Sequence, residues 1–420
     1  MKTSVLLDHE PVADGGFLVR ALLSIEGNPR SDEDRTPLNL SLVLDRSGSM
    51  WGEPLIAARE AAIRIIQRLA PEDTVSVVAY DDVVEVVAPP ATGAEQNDLT
   101  QRIRDIGPGG STNLSGGWLR GRDLVAENQR EGAVNRVILL TDGQANVGMT
   151  EPGQLVGLCR SGAGTGISTT TVGFGAHFDE DLLKSMADAG QGGTYYIEEA
   201  DQAAGIFAEE LDGLMSLAAQ NVRVAIGPGA DAGFVQVHHQ YPNHSEGDVL
   251  TLEVGDLYAR EPRRIVMEFL LPPKAKAGID YQVAMVTVTA HVLMDDGGVE
   301  LQTVKLPIML SPVEGGIVQP EVRREVLLVA AARAREEAME ARERGDWTGA
   351  SQSLRDVVAY ARSTGLEDPA VMEEIGDLEA SAELFDQQTV SEADEKYMKQ
   401  RVYSSDRSRR ESIQRYRRGE

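Results

Sequence analysis

Asp45, Ser47 and Ser49 stand two residues apart in Asp45-Arg46-Ser47-Gly48-Ser49, directly after the apolar run Leu38-Asn39-Leu40-Ser41-Leu42-Val43-Leu44. A carboxylate and two hydroxyl oxygens in one tight turn at the end of a buried strand make half of a hard-cation site. Two further pieces lie downstream, where the other half belongs. Thr112 sits in Gly109-Gly110-Ser111-Thr112-Asn113-Leu114-Ser115-Gly116-Gly117, and Asp142 closes the run Val137-Ile138-Leu139-Leu140-Thr141 ahead of Gly143. The chemistry indicated is metal-dependent binding.

Together the three segments resemble the metal-ion-dependent adhesion site of von Willebrand factor type A domains. That family's pattern is Asp-x-Ser-x-Ser, then a loop Thr, then Thr-Asp-Gly after a later strand. The first piece alone is a weak signal, but all three in order on the right kinds of element are a strong one. The resemblance covers residues 37–219 and extends to Asp73-Thr74-Val75-Ser76-Val77-Val78-Ala79-Tyr80 and Thr171-Val172-Gly173-Phe174-Gly175, which look like the family's second and fifth strands. It implies Asp45, Ser47, Ser49, Thr112 and Asp142 as metal ligands. Such a set gives near-octahedral oxygen coordination, which suits Mg²⁺, with Mn²⁺ or Ca²⁺ as alternatives. Three neutral hydroxyls leave residual positive charge on the ion, which attracts a partner's Asp or Glu in the family's binding mode. The plainer reading, that Asp45 and Ser47 only cap the following turn, is weakened by the presence of all five ligand types.

The site needs elements to carry it. Residues 38–219 alternate strand-like apolar runs with amphipathic stretches. A helix is expected from about Pro54 to Leu69, with Leu55, Ala58, Ala62, Ile66 and Leu69 on one face. Strands are expected near 73–80, 83–87, 136–141, 167–173 and 194–197. Helices fall near 98–106, 115–128, 153–160 and 179–189, and one from Gln202 to Ala218 closes the unit. This alternation predicts an α/β doubly wound, Rossmann-like, mostly parallel sheet. The short hop from 80 to 83 cannot hold a crossover helix, so the neighbouring strand is an antiparallel edge. In such a sheet ligands bind beyond the carboxyl ends of the strands where strand order reverses, which brings Asp45 and Asp142 into one crevice.

Residues 220–317 lose the helical period. Val222–Ile226, Val249–Val254 and Tyr281–Val288 are β-rich runs between Pro and Gly clusters, which predicts an antiparallel β-sandwich. Residues 1–36 hold another such run, Phe17–Ile25, and are expected to complete that sandwich around the inserted type A domain of 37–219. This arrangement also resembles bacterial relatives of inter-alpha-trypsin inhibitor heavy chains and calcium-activated chloride channel regulators. Residues 318–400 read as a helical segment. Gly345-Asp346-Trp347 between Ala-rich helices resembles one tetratricopeptide-type hairpin, against a helical bundle capping the sandwich. Residues 401–420 form a basic tail.

Composition bounds the function. The chain has 420 residues, 42% apolar and 25% charged, with a net charge of −27, enough for two or three globular domains. The acidic body argues against nucleic acid, although residues 396–420 hold nine Lys and Arg against three acids. No apolar run reaches membrane-spanning length and the N-terminus does not read as a secretory signal. The single Cys159 excludes an internal disulfide, so a cytoplasmic setting is expected, with Cys159 a buried helix position.

Other chemistry is poorly supported. Gly107–Gly117 lacks the ending of a phosphate-binding loop and reads as the flexible loop that presents Thr112. His238, His239 and His244 have no second ligand cluster, and Asp81 and Asp82 read as turn residues. No catalytic residue or organic cofactor is expected, and the protein is not expected to be an enzyme. The expectation is an intracellular, metal-dependent protein-binding adaptor whose partner supplies an acidic residue to the metal. The alternatives are a Mg²⁺-dependent hydrolase using the same site and a chelatase-type subunit beside an AAA+ ATPase; a defence-operon component is a further candidate partner.

Overall fold

The computed structural model describes the chain except residues 29–35, 93–95, 131, 143, 176–177, 198–204, 206–209, 211–212, 260–261, 295–297 and 407–420. A hairpin of β1 (Lys2–Pro11) and β2 (Phe17–Glu26) precedes an α/β unit. The unit starts with β3 (Leu38–Asp45), α1 (Glu53–Arg68), β4 (Thr74–Tyr80) and β5 (Val84–Thr92). It continues through α2 (Gln96–Arg104), α3 (Leu114–Glu127), β6 (Val134–Thr141) and α4 (Pro152–Gly164). Then come β7 (Ile167–Phe174), α5 (Glu180–Ala189) and β8 (Gln191–Ile197).

The strand order is β5-β4-β3-β6-β7-β8, and only the β4–β5 pair is antiparallel. β3, β4, β6 and β7 are buried along their whole length because helices cover both faces. Leu40, Leu42 and Leu44 pack with Leu55, Ala58, Ala62 and Ile66 of α1. The alternate residue Val43 packs on the other face with Trp118, Leu124 and Val125 of α3. From adjacent β3 and β6 the chain departs in opposite directions, to β4 and to β7, so a crevice opens between their carboxyl ends.

The second unit runs β9 (Leu217–Pro228), β10 (Gly233–Val237), β11 (Asn243–Glu246), β12 (Val249–Tyr258), β13 (Arg263–Leu271), β14 (Tyr281–Leu293) and β15 (Val299–Leu310). It forms two antiparallel sheets, β1-β2-β13-β10 and β11-β12-β9-β14-β15. β2 pairs with β13 from Phe17↔Leu271 to Ile25↔Arg263. Phe17, Val19, Ala21, Leu23 and Ile25 thereby enter one core with Val222, Val224, Val286 and Val288. The N-terminal hairpin is part of the sandwich, and the α/β unit is inserted in it. One expected element differs. Leu217 and Ala218, read as the end of a closing helix, already belong to β9: Leu217 pairs with Tyr258 of β12, and the next residue, Ala219, pairs with both β12 and β14. Most of that expected helix lies outside the described residues.

A buried charge ties the two units. Arg136 of β6 bonds Glu210 at 2.9 Å and Asp256 of β12, with all three almost excluded from solvent. Burial alone lowers a guanidinium's pKa; here Asp256 and Glu210 more than offset it, so the charge is kept.

The C-terminal helices are α6 (Pro320–Glu343), α7 (Trp347–Ser363), α8 (Pro369–Gln387) and α9 (Glu392–Asp406). Val322 and Val326 of α6 cover Leu22 and Val266 on the outer face of the smaller sheet. Gly345, with φ +78°, ends the first helix in a conformation that suits glycine, and Asp346 caps the next through Gly349 N–H at 2.8 Å. α9 returns to α6 through Arg342 and Glu395, which closes these helices into a bundle on the sandwich. Of the expected basic tail, residues 401–406 end α9, with Arg401 buried against Glu374, and residues 407–420 lie outside the described residues. Among the described residues no helix is long and apolar enough to cross a membrane.

Candidate metal centre

Asp45 is the last residue of β3 and is buried. Its Oδ1 accepts the Ser47 N–H at 2.8 Å, and its Oδ2 accepts the hydroxyls of Thr141 at 2.6 Å and Tyr80 at 3.3 Å. These donors are all neutral. Burial pushes the Asp45 carboxyl above its ordinary range, and the hydrogen bonds only partly offset that. A buried anion with neutral partners is the electrostatic situation a bound cation relieves.

The remaining donors form a series. Ser47 Oγ and Ser49 Oγ are 3.2 Å apart, and Ser49 Oγ donates to Asp142 Oδ1 at 2.8 Å. Asp45, Ser47, Ser49 and Asp142 are thus linked from the end of β3 to the end of β6. The loop that carries Thr112 is held against the same turn. Gly48 N–H donates to the Gly110 carbonyl at 2.8 Å, and Gly109 N–H to the Arg46 carbonyl at 2.7 Å. On its other side, Thr112 N–H donates to Asn146 Oδ1 at 2.7 Å, and its carbonyl accepts the Asn146 and Val147 N–H groups at 3.1 Å each. The five residues present two carboxylates and three hydroxyls, with no nitrogen or sulfur, a set that fits a hard divalent ion.

Sequence reasoning missed the supports. Tyr80 is buried beneath Asp45; burial, then the Asp45 charge, raises its pKa well above the usual value, so it stays a donor. Asp81 does more than turn the chain. It accepts from Val83 N–H at 2.8 Å and Gly110 N–H at 3.1 Å, and Arg46 lies at 3.5 Å. Burial opposes ionisation there, but the two N–H groups and Arg46 hold the carboxyl below its ordinary range. A Cβ on Gly109 would fall 1.6 Å from Asp81 Oδ2, and one on Gly110 2.2 Å from Asp82 Oδ1. The glycines read as flexibility are there for close approach, and the paired Gly109-Gly110 was the only signal for Asp81's role. Asn146 left no signal in the sequence.

The other candidates stay apart. His238 lies 3.2 Å from Glu268, His239 accepts Val266 N–H, and His244 is exposed 3.9 Å from Glu253. Among the described residues no group of three or more His, Cys, Asp or Glu could hold a metal, so an ion at Asp45 and Asp142 would depend on the neighbouring hydroxyls. Burial pushes the Cys159 thiol up to about 12, which leaves it inert.

Comparisons with known proteins agree with this fold. Residues 39–209 match the family model of the von Willebrand factor type A domain. The uncharacterized protein sll0103 of Synechocystis sp. is 27% identical over 279 residues, 64% of this chain and 66% of that protein. Uncharacterized protein YfbK of Escherichia coli is 24% identical, covering 62% of this chain and 47% of its own length. Human inter-alpha-trypsin inhibitor heavy chain H3 is 30% identical over 162 residues, 36% of this chain and 18% of that one. The chain therefore spans less than two thirds of each of these relatives. Two solved structures share the fold over most of the chain. A von Willebrand factor type A protein from Catenulispora acidiphila has a TM-score of 0.67 at 20% identity, covering 90% of this chain and 88% of its own. The ArnB paralog VWA2 from Sulfolobus acidocaldarius has 0.59 at 16% identity, covering 97% and 98%.

Proposed function

Residues 39–209 are a von Willebrand factor type A domain, so the chain belongs with the proteins that carry one, and from that premise we propose that it is a metal-dependent protein-binding adaptor. The observation that carries this reading is the series Asp45–Ser47–Ser49–Asp142, hydrogen-bonded across the ends of two adjacent parallel strands. Asp45 and Asp142 supply the negative charge of the cage; Ser47, Ser49 and Thr112 supply neutral oxygens, and Mg²⁺ is the ion this set favours. A bound ion offers a positive centre to a carboxylate from a partner protein. Asp81, Gly109 and Gly110 keep the Thr112 loop in place, while the sandwich and helical bundle act as the body that carries the site. The reading is one of binding, because the side chains gathered here are engaged as ligands or loop anchors rather than poised as nucleophile or base. A chain with one buried thiol also fits an intracellular setting.

The test is affinity capture from native lysate with wild type, Asp142→Ala, and wild type in chelator. A partner held only by the metal-loaded wild type is expected. Equal retention in all three, or metal-dependent turnover of a phosphoester or peptide by the purified protein alone, overturns the proposal.

A further inference from the structure

The exposed large hydrophobic side chains of the α/β unit are not scattered. Among its described residues they are Trp51, Ile56, Val83 and Met149, and all four lie at the carboxyl edge of the parallel strands. Trp51 and Ile56 flank the start of α1, Val83 is in the β4–β5 turn, and Met149 lies between β6 and α4. The turns at the opposite edge, 69–73, 128–130, 132–133 and 164–166, carry none.

Hydrogen bonds join these loops into one surface around the Thr112 segment. Trp51 N–H donates to the Gly48 carbonyl at 3.3 Å, and Gly48 N–H to the Gly110 carbonyl at 2.8 Å. Val83 and Gly110 share the Asp81 carboxylate, while Met149 N–H donates to Ser115 Oγ at 2.9 Å. Trp51 stands out, with 75% of its surface in water against 1% for Trp118. An indole left in water two residues from Ser49 gains most when a partner covers it.

Charge sharpens the argument. The chain carries −27, and Glu53, Asp82 and Glu151 are exposed on these same loops. An acidic partner is repelled at a distance, and its attraction is confined to one coordination position. The remaining affinity has to come from the apolar ring.

We propose that the segment recognised here is an Asp or Glu flanked by aliphatic or aromatic side chains, for which Trp51 is the anchor. This rests on the metal-dependent reading above and names the partner's chemistry.

Two synthetic probes test it on the full-length chain with saturating Mg²⁺: acetyl-Gly-Phe-Asp-Leu-Gly-amide and acetyl-Gly-Ser-Asp-Ser-Gly-amide. Calorimetry reads Mg²⁺ binding alone and then binding of each peptide, in wild type and in Trp51→Ala alike; Trp51 emission in wild type reports whether the indole is covered. The apolar-flanked peptide is expected to bind about tenfold tighter. Trp51→Ala is expected to erase that preference and leave Mg²⁺ affinity unchanged. Equal affinity of the two peptides, a preference that survives Trp51→Ala, or Mg²⁺ binding with neither peptide bound overturns the proposal and leaves the metal site standing. Self-association that Trp51→Ala abolishes assigns the patch to a second copy and overturns it as well. Absence of Mg²⁺ binding by wild type removes the underlying reading, and this one with it.

Discussion

Ser49 donates its hydroxyl to Asp142 at 2.8 Å, although 93 residues separate them in the chain. The contact exists because β3 and β6 are neighbours in the sheet with the same direction, so the turn after one meets the residue after the other. It places the site's two carboxylates at opposite ends of a short chain of hydroxyls. The local Asp45-Arg46-Ser47-Gly48-Ser49 turn cannot do this alone.

Asp45→Asn should separate metal affinity from fold. The change removes one of two charges from the cage, a larger loss than the 10–100-fold cost of disturbing a residue behind a ligand, so Mg²⁺ affinity should fall by about 100-fold or more. The metal-free protein should keep its melting temperature within about 4 °C, because burial already disfavours the charged carboxylate there. Calorimetric titration and thermal unfolding in chelator measure the two effects. Undiminished Mg²⁺ binding by the variant would remove Asp45 from the ligand set.

Gly109→Ala should weaken the site from a distance. The new methyl overlaps Asp81 Oδ2, and Asp81 cannot swing away without giving up Val83 N–H, Gly110 N–H and Arg46. A cost of about 1–3 kcal/mol in stability is expected, together with weaker Mg²⁺ binding as the Thr112 loop shifts. In the double variant with Asp81→Ala the overlap is gone, so the two losses should not add. Additive losses would show that the glycine matters for another reason.

Much of this was legible in the sequence, for physical reasons. Leu38–Leu44 and Val137–Thr141 read as buried strands because both their faces are covered, and the short hop from 80 to 83 announced an antiparallel edge. The candidate ligands Asp45, Ser47, Ser49 and Asp142 could be picked out because they follow directly on strand ends, and Thr112 because it sits in a Gly-rich loop ahead of a helix. Asn146 and Tyr80 were invisible because their roles arise from loop and sheet packing that no local spacing encodes. Leu217–Ala218 misled for a related reason: its apolar residues fit a helix face equally well, and only the pairing of Leu217 with Tyr258 of β12 decides for a strand.

Deleting residues 1–36 should destroy the sandwich rather than trim it. Val19, Ala21, Leu23 and Ile25 are fully buried, and losing β2 uncovers the β13 edge along nine paired residues. Aggregation of the 37–420 fragment is expected, while a 37–219 fragment keeps all of its core but the contacts of Tyr258 and Leu293 and should fold, with lower stability because buried Arg136 loses Asp256. A soluble 37–420 fragment with one cooperative unfolding transition would show that the hairpin is dispensable.

Acid should unfasten the smaller sheet through Glu268. Its carboxylate on β13 accepts Arg20 Nε–H at 2.9 Å and Gln236 Nε2–H at 2.7 Å, with His238 Nε2 at 3.2 Å. Burial pushes its pKa up, but His238, Gln236 and Arg20 outweigh that and hold it to about 2 against an ordinary 4.5. A depressed carboxyl stabilises the fold above its unfolded value, so the contribution is complete above pH 4.5 and is lost as pH falls through about 2. The side chain is 9% exposed, and the contribution is about 3 kcal/mol at most. Glu268→Gln should therefore be less stable than wild type at neutral pH, and the gap should close between pH 4.5 and 2. Denaturant unfolding across that range measures it. A gap that stays constant down to pH 2 would mean the destabilisation comes from lost packing, not from the charge.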